Sequence, residues 1–352
     1  MLHQLAALSL VALALPMTAQ AAADRVFVPL GSSNAIVVIN AATDAVVGRI
    51  EGLPAAHGLA ATPDGQFLVA GSYEEREPDA GMPPQPAGAS ADEHAAHHTK
   101  QAPSSTSAEM VSTVSLVSTA ALEVVRRVDV PGAVHHVAVS PDGALAIVTH
   151  PDRGTISAID LESYELLATV ATGPLPNYAV FGPDSRVVYV SNAGGGTVSE
   201  LDTTHWFFRR NMPVGNSPEH VVLAPDGGTL YVNNVDDGTV SVVDLERGES
   251  VKTIPLGDIP HGIDLSDDGR TLFVAAVGED KLIALDPATG TYRSTRLSPA
   301  PYRVTALAGR GKLYVSSAEQ PKIWVVRQDN FAVVGEIPID GRGHQMVQVA
   351  SH

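Results

Sequence analysis

The sequence predicts an all-β fold, a seven-bladed β-propeller with four antiparallel strands in each blade. Three observations lead to this prediction: one motif recurs at a nearly constant spacing, each repeat contains four short strand-like runs, and the chain length accommodates seven repeats. Repeats of roughly 40–45 residues with four strands each are typical of propeller blades. A hydrophobic content of 44 % is sufficient for the cores that such blades bury between them.

The repeat is recognised by a residue that stands just before a short strand and, in most repeats, seven positions ahead of an aspartate. His261 does so in the stretch IPHGIDLSDDGRTLFVAAV. The equivalent residues, in chain order, are His57, His135, Asn177, Glu219, His261, Tyr302 and His344. From His135 onward their intervals are 42, 42, 42, 41 and 42 residues. A strand-ending aspartate keeps the same register, every 42 residues, at Asp160, Asp202, Asp244 and Asp286.

Each repeat contains four strand-like runs. In the repeat that starts at His261 they read HGIDLSDD, GRTLFVAAV, DKLIALDPATG and TYRSTRLS. Gly, Asp and Pro separate them, and short strands at roughly 8–12-residue spacing with such turns predict an all-β architecture. Two further stretches fit this pattern: NAGGGT reads as a hairpin turn, and HWFFRRNM reads as an outer strand.

The number of blades follows from the length. The first interval is 78 residues, so an insertion of 36 residues, at 75–110, interrupts one repeat. Without it, residues 24–352 number 293, and seven repeats of 42 would number 294. The first segment holds three runs and the last, HQMVQVASH, holds one. We therefore expect the C-terminal strand to complete the N-terminal blade, which closes the ring and removes a free sheet edge.

Several repeats carry a family resemblance. The stretches SPDGALAIVTH, APDGGTLYVNNVDDGTVSVVDLERGESVKTI and GPDSRVVYVSNAGGGTVSELD resemble the YVTN-type β-propeller repeat of secreted bacterial proteins. The resemblance extends over nearly all of the chain after residue 23 and implies the same fold. Related architectures include d1-haem domains of nitrite reductases, lactonases, quinoprotein subunits and periplasmic zinc chaperones, and the fold alone selects none of these functions.

Charge and cysteine content limit the possible partners. The chain has 22 Lys+Arg against 39 Asp+Glu, a net charge of −17, which argues against nucleic acid and anionic membrane surfaces. There is no cysteine, which excludes disulfides, thiolate metal sites, Fe–S clusters, covalent c-type haem and a cysteine nucleophile. Any bound metal must therefore use nitrogen and oxygen ligands.

The N-terminus predicts export. Its apolar run, Leu5–Leu15, is too short to span a bilayer. Small residues follow, and Ala19-Gln20-Ala21 matches a signal-peptidase cleavage pattern. We expect residues 1–23 to be a signal peptide and residues 24–352 to form one propeller domain in the periplasm, without insertion into the membrane.

The repeating residue carries the first functional hypothesis. The first strand of each blade lies nearest the propeller axis, so the residues that precede it converge on one end of the central channel; we call this the mouth position. His57, His135 and His344 are neighbours there, and Glu219 and His261 lie across from them. The next position along each strand adds His136 and His220. Imidazole and carboxylate ligands suit zinc or copper(II).

A structural alternative remains open at this stage. Each imidazole can instead hydrogen-bond the backbone of the neighbouring blade, while the glycine that follows it relieves crowding. Because a seven-bladed ring is wide, not every member can reach one ion, and we favour His57, His135 and His344 as ligands over the full set. Arg303, near Tyr302, Glu219 and His220 in this register, forms with them a candidate acid/base and anion-binding set.

The insertion carries a second histidine cluster. Its composition predicts disorder, and it contains DEHAAHHTK, with His94, His97 and His98 beside two acidic residues. Such a cluster can bind a metal weakly and exchange it quickly, or it can be a solvated loop without function.

Three functional hypotheses follow. The first is a periplasmic zinc- or copper-binding protein, a metallochaperone that passes its ion to a transporter component or a metalloenzyme. The second is an enzyme or haem carrier, either a lactonase-like hydrolase or a d1-haem-binding propeller. The third is a binding scaffold without site chemistry. The sequence shows no serine nucleophile elbow or phosphate-binding loop, and it leaves open whether any reaction is catalysed.

Overall fold

The computed structural model describes residues 24–78 and 110–350. This part of the chain forms seven four-stranded antiparallel sheets, arranged as a seven-bladed β-propeller, so the predicted fold is confirmed. Its only helical elements are three single 3₁₀ turns, at Gly31–Ser33, Pro151–Arg153 and Val277–Glu279. No helix among the described residues is long and apolar enough to cross a membrane.

The strands follow one another blade by blade, and the innermost strand of each complete repeat comes first. The strands of the first three blades are β1 Arg25–Leu30, β2 Ala35–Asn40, β3 Ala45–Glu51, β4 Ala56–Ala61, β5 Phe67–Ser72, β6 Val111–Ser118, β7 Glu123–Pro131, β8 Val137–Val139, β9 Leu145–His150, β10 Thr155–Asp160 and β11 Leu166–Ala171.

The remaining four blades repeat the same order of four strands. Their strands, with the one that closes the ring, are β12 Pro176–Phe181, β13 Val187–Asn192, β14 Thr197–Asp202, β15 Phe207–Pro213, β16 Pro218–Leu223, β17 Thr229–Asn234, β18 Thr239–Asp244, β19 Glu249–Pro255, β20 Pro260–Leu265, β21 Leu272–Ala276, β22 Lys281–Leu285, β23 Tyr292–Arg296, β24 Pro301–Leu307, β25 Lys312–Ser317, β26 Lys322–Arg327, β27 Val333–Pro338 and β28 Val347–Val349.

Burial explains the strand sequences. The middle strands are covered on both faces by neighbouring blades, so β17, TLYVNN, is buried along nearly its whole length. The outer strands have one exposed face, and β19, ESVKTIP, alternates between exposed and more buried residues. The cores lie between blades: Val240 and Ile254 of one blade pack in a single cluster with Ile283 and Leu285 of the next. Removal of this apolar surface from water is the largest favourable contribution to the free energy of folding of the propeller.

The strand-ending aspartates found in the sequence close the turn after the third strand. Oδ1 of Asp244 accepts hydrogen bonds from the backbone N–H groups of Glu246 and Arg247, both at 3.0 Å. Asp160, Asp202 and Asp286 do the same in their own blades. Aspartate is suited to this role because its short side chain reaches backbone groups two and three residues ahead.

The ring closes as predicted. Strand β28 pairs antiparallel with β1, with Val347 opposite Phe27, so the C-terminal strand completes the N-terminal blade. Side chains reinforce the closure, since Lys312 and Tyr314 both bond the Asp44 carboxylate, at 2.7 and 2.6 Å. The N-terminal blade and the last full blade therefore share a core, as any two sequential blades do.

The flanks of the insertion lie on the mouth face, a point that the sequence left open. Ser72, the last residue of β5, pairs with Ala56 at the mouth end of β4. Arg76 and Val111 then bond each other through their backbones, and β6 starts there. The predicted loop ligands His94, His97 and His98, and the predicted signal peptide 1–23, lie outside the described residues.

Candidate functional site

The mouth position is set by the turn that precedes each inner strand. In five of the blades a non-glycine residue two positions earlier adopts the left-handed conformation, with φ between 40° and 53°: Ala55, Leu175, Ser217, Ile259 and Ala300. This conformation is strained for a β-branched residue such as Ile259. Strain of this kind persists only where the surrounding structure imposes it. The repeated turn therefore delivers the mouth residues to one level of the channel.

The structure brings the predicted residues into a nearly continuous ring. Neighbouring side-chain rings contact each other around the channel, with centroid distances of 4.6 Å for His57–His135, 4.2 Å for His57–His344, 6.1 Å for Tyr302–His344 and 4.2 Å for His261–Tyr302. Glu219 continues the ring, with Oε2 3.1 Å from Nε2 of His261. The sequence equivalence thus corresponds to physical contact.

Two of the mouth histidines are anchored through Nδ1. His57 donates from Nδ1 to the backbone carbonyl of His135 at 2.7 Å, and His135 donates from Nδ1 to the carbonyl of Asn177 at 3.1 Å. These are the inter-blade bonds of the structural alternative. Because a carbonyl only accepts, Nδ1 holds the proton, and Nε2 keeps a free lone pair for a ligand. The structural and functional interpretations are therefore compatible in the same side chain.

His57, His135 and His344 are held neutral. Burial, followed by the neighbouring His135 and His344, lowers the pKa of His57 well below its usual value. Burial and the charge of Arg303 lower the pKa of His135 to about 4 and that of His344 to about 3. Neutral imidazole is the form that binds metal ions, so these residues need not release a proton first.

The tightest cluster of metal-ligating groups is Glu219, His220 and His261. Each offers one ligand atom, and these atoms lie within 4.8 Å of one another. Among residues 24–78 and 110–350, this is the group of His, Asp and Glu side chains that is compact enough to hold a metal ion. The Nδ1 atom of His220 donates to the carbonyl of His261, which leaves its Nε2 buried without a partner. The Nδ1 atom of His261 is also buried and unpartnered.

Glu219 is ionised in this cluster. Burial alone would raise its pKa, but the adjacent His261, assisted by His135 and Arg303, outweighs burial and lowers the pKa of Glu219 to about 2. An ionised carboxylate thus lies within 4.8 Å of ligand atoms from two imidazoles, and one of these, His261, contacts it through Nε2 at 3.1 Å. The structure therefore places the most compact set of potential ligands at these three residues, whereas the sequence favoured His57, His135 and His344.

His136 serves packing. Its Nδ1 accepts a hydrogen bond from the backbone N–H of Ala179 in the next blade, at 3.2 Å, and its ring lies against Tyr178. The lone pair that a metal would need is occupied, and the remaining ring nitrogen carries the proton and is buried without a partner. This geometry disfavours His136 as a ligand.

The glycines after the mouth histidines allow close approach of inner strands. A Cβ atom at Gly262 would lie 2.6 Å from the carbonyl oxygen of Tyr302, and one at Gly58 would lie 2.9 Å from the carbonyl carbon of His136. Contacts this short do not occur between real Cβ atoms and backbone. In Pro260-His261-Gly262, the glycine thus allows neighbouring inner strands to pack closely, and the histidine places its side chain at the channel mouth.

Two residues that the sequence analysis did not single out also belong to the site. Tyr73 follows β5 at the mouth, with its ring 5.3 Å from that of His57. Asp264 lies three positions after His261 and faces a cavity of about 120 Å³ inside the channel. The equivalent residues in the other repeats are Ala60, Ala138, Val180, Val222, Thr305 and Val347. A single carboxylate at a position of mostly small apolar residues is the signal that could have identified it.

Comparisons with known proteins support the fold. A family model described as lactonase, 7-bladed beta-propeller, matches residues 146–312, slightly less than half of the chain. No curated protein matches the sequence significantly. Many solved structures share the fold.

Three solved structures illustrate the likeness. A candidate 6-phosphogluconolactonase of Bacteroides uniformis is 15% identical with a TM-score of 0.72, over 93% of this chain and 99% of that chain. The periplasmic gluconolactonase of Pseudomonas aeruginosa is 16% identical, TM-score 0.70, over 94% and 99%. A dihydro-haem d1 dehydrogenase is 15% identical, TM-score 0.64, over 95% and 78%. At these identities the likeness is one of fold alone.

Proposed function

We propose that this protein binds one divalent transition metal ion, zinc or copper(II), at the channel mouth through Glu219, His220 and His261. One observation carries the proposal: Glu219, His220 and His261 each offer a ligand atom within 4.8 Å of the others, and Nε2 of His220 is buried without a partner. A buried polar atom without a hydrogen-bond partner is costly, and a bound ion would give Nε2 of His220 a partner while exchanging the Glu219–His261 contact for coordination by both residues. Nitrogen and oxygen ligands are what zinc and copper(II) accept in a chain without cysteine.

The surrounding ring supports the same function. His57, His135 and His344 are neutral and stand at the same level, so they offer further lone pairs along the mouth. An ion could enter from solvent past these residues and reach the more compact cluster. Delivery of this ion to a periplasmic transporter component or metalloenzyme is the role that we propose for such a carrier.

Equilibrium dialysis of the full-length mature chain against zinc and copper(II) tests the proposal. We expect one ion per chain with a Kd below micromolar. Glu219→Gln and His220→Asn should each weaken binding by at least about tenfold, the second because Asn keeps a donor in the place of Nδ1 but lacks Nε2. His205→Asn, at an exposed histidine, is the matched control and should bind as the wild type does. Binding no tighter than micromolar would contradict the proposal.

The family match favours a second candidate, a lactone hydrolase. In this case the Glu219 carboxylate accepts a hydrogen bond from the Nε2–H of His261 and fixes its tautomer, so that Nδ1 can act as a general base on water. Acid release from gluconolactone and 6-phosphogluconolactone, followed in a pH-stat with and without EDTA, tests this activity. We expect hydrolysis that His261→Gln abolishes. Hydrolysis no faster than in buffer would exclude the candidate.

The periplasm is the location that we propose for either function. The predicted signal peptide supports it, and one of the similar structures is described as periplasmic. N-terminal sequencing of the protein recovered from a periplasmic extract should begin at Ala22 or Asp24, after the two expected cleavage positions.

A further inference from the structure

Arg303 is a buried cation that makes no direct ion pair within the described part of the chain; the ionised Glu219 acts on it only through longer-range charge attraction. It occupies the position after the mouth position on β24, and only 5% of its surface is exposed. No hydrogen bond or ion pair joins its guanidinium to any residue in the described part of the chain, and its Nε atom is buried without a partner. Its nearest aromatic neighbour is the ring of Tyr302, 5.3 Å from the guanidinium carbon. An unpaired buried charge is among the costliest features that a folded protein can hold.

Arg303 borders a small cavity inside the channel. This channel cavity has a volume of about 120 Å³ and lies one to three residues below the mouth. Its polar lining includes Arg303, Tyr178, His220, Asp264, Thr305 and Gln345. Since a water molecule occupies roughly 30 Å³ in the liquid, the channel cavity has room for an ion of about three to five heavy atoms.

The charges around the cavity select the sign and size of the ligand. Asp264 is occupied by the backbone N–H groups of Leu265 and Ala306, each at 2.8 Å, and does not pair with Arg303. Its carboxylate nevertheless lines the same space, which disfavours a dianion such as phosphate. A monovalent anion balances the guanidinium without this repulsion.

We propose that Arg303 binds a small monovalent oxyanion, such as a carboxylate or nitrate, in the channel cavity. The planar guanidinium fork matches two oxygen atoms of such a group in a bidentate arrangement. The oxyanion can be a free ion, or the acid group of a longer ligand whose remainder lies at the mouth. This site adjoins the metal cluster, with which it shares His220, but it does not require a metal.

Thermal unfolding of the full-length mature chain in EDTA tests the proposal without interference from metal. Formate, nitrate and gluconate are titrated at constant ionic strength, with a bulky sulfonate making up the balance. We expect a saturable rise in Tm with formate and nitrate, as binding to the folded state alone produces. A larger effect of gluconate than of formate would identify a longer ligand, and an effect of formate alone would identify the free ion; both support the site.

Variants assign the effect to the guanidinium. Arg303→Gln should lose the response to every anion, and without anions its Tm should equal or exceed that of the wild type, because a buried unpaired charge has been removed. Arg296→Gln, on the exposed strand β23, should respond as the wild type does. Asp264→Asn should tighten formate binding several-fold and admit phosphate.

Two results would overturn the proposal. One is an equal anion response in the wild type and Arg303→Gln. The other is no response in the wild type together with a lower Tm of Arg303→Gln, which would show that Asp264 neutralises Arg303 across the cavity. Zinc dialysis of Arg303→Gln separates the two proposals, since the metal cluster should still bind its ion in this variant.

Discussion

The Nδ1 atom of His57 donates a hydrogen bond to the backbone carbonyl of His135, 2.7 Å away, and so links two neighbouring blades at the channel mouth. The same bond fixes which nitrogen carries the proton and which keeps its lone pair. A histidine at this position therefore stabilises the ring and offers a ligand atom at once. This double role separates the expected effects of different substitutions.

His57→Asn should preserve stability better than His57→Ala. The amide of Asn can replace the Nδ1 donor, whereas Ala leaves the carbonyl of His135 without it. We expect His57→Ala to lower the free energy of unfolding by about 1–2 kcal/mol and His57→Asn by clearly less. Urea denaturation of the two variants and the wild type measures this difference. Equal losses would mean that ring contacts, and not the hydrogen bond, stabilise this junction.

Substitution of the mouth residues should distinguish the two candidate ligand sets. The double variant His57→Asn/His135→Asn keeps donors in the place of both Nδ1 atoms but removes both Nε2 atoms. We expect it to bind zinc within about threefold of the wild type, while His220→Asn loses at least about tenfold. Competition with a fluorescent zinc chelator measures both. A greater loss of zinc affinity in the double variant than in His220→Asn would identify His57 and His135, which the sequence favoured, as the ligands.

Gly262→Ala should destabilise the propeller. The added Cβ would lie 2.6 Å from the carbonyl oxygen of Tyr302, so β20 and β24 would have to separate. Overpacking of this kind costs about 1–3 kcal/mol. Gly335→Ala is the control, because its Cβ would meet only Val325, at an ordinary 3.9 Å. Comparable stability of the two variants in urea denaturation would show that the inner strands can adjust at little cost.

The pH dependence of the free energy of unfolding should show the raised pKa of Asp264. Burial raises its pKa to about 6, with a smaller effect of Asp267, against the lowering effect of two backbone N–H bonds. Because the folded pKa lies above the unfolded value of 3.8, the stabilisation by the protonated form is present below pH 4 and is lost as the pH rises through 6.

Comparison of the wild type with Asp264→Asn isolates this effect. The free energy of unfolding of the wild type should fall, relative to that of the variant, by up to about 3 kcal/mol between pH 4 and pH 7. Urea denaturation at several pH values measures the difference. A difference that does not change with pH would mean that Asp264 titrates normally in the folded protein.

The sequence predicted the ring of mouth residues because, in a propeller, residues at the same position of successive repeats lie at the same level around the central axis. His57, His135 and His344 are far apart in sequence, yet a spacing near 42 residues placed them at one level. The same regularity predicted the closure of β28 on β1. Both results depend on backbone periodicity, which the sequence records directly.

The sequence could not show which of the mouth side chains lie closest to one another. The pairing of Glu219 with His261 depends on side-chain rotamers and on hydrogen bonds from Nδ1 to neighbouring carbonyls. Arg303 was recognised as a candidate anion-binding residue, but its lack of a partner is visible only in three dimensions. Asp264 was missed because the predicted site included only the mouth position and the next position along each inner strand, and Asp264 lies two residues further on.

The last prediction concerns the insertion. Replacing residues 79–109 with a short Gly-Ser linker should leave the propeller stable, because the flanking residues are held by the blade itself. Arg76 and Val111 exchange two backbone hydrogen bonds, at 2.8 and 2.9 Å, and the Arg76 guanidinium bonds the Asp129 carboxylate at 2.6 Å. Changing the length of a flexible connection costs only about 0.6 kcal/mol per doubling.

We expect the shortened protein to unfold within a few degrees of the wild type and to bind one zinc ion with unchanged affinity, as measured by thermal unfolding and equilibrium dialysis. The variant His94→Ala/His97→Ala/His98→Ala in the full-length chain is the matched control, since it removes the three imidazoles without changing the connection. If both proteins lose tight binding, the insertion supplies the primary ligands. If only the shortened protein loses tight zinc binding, the metal site depends on the length of the insertion and not on its histidines.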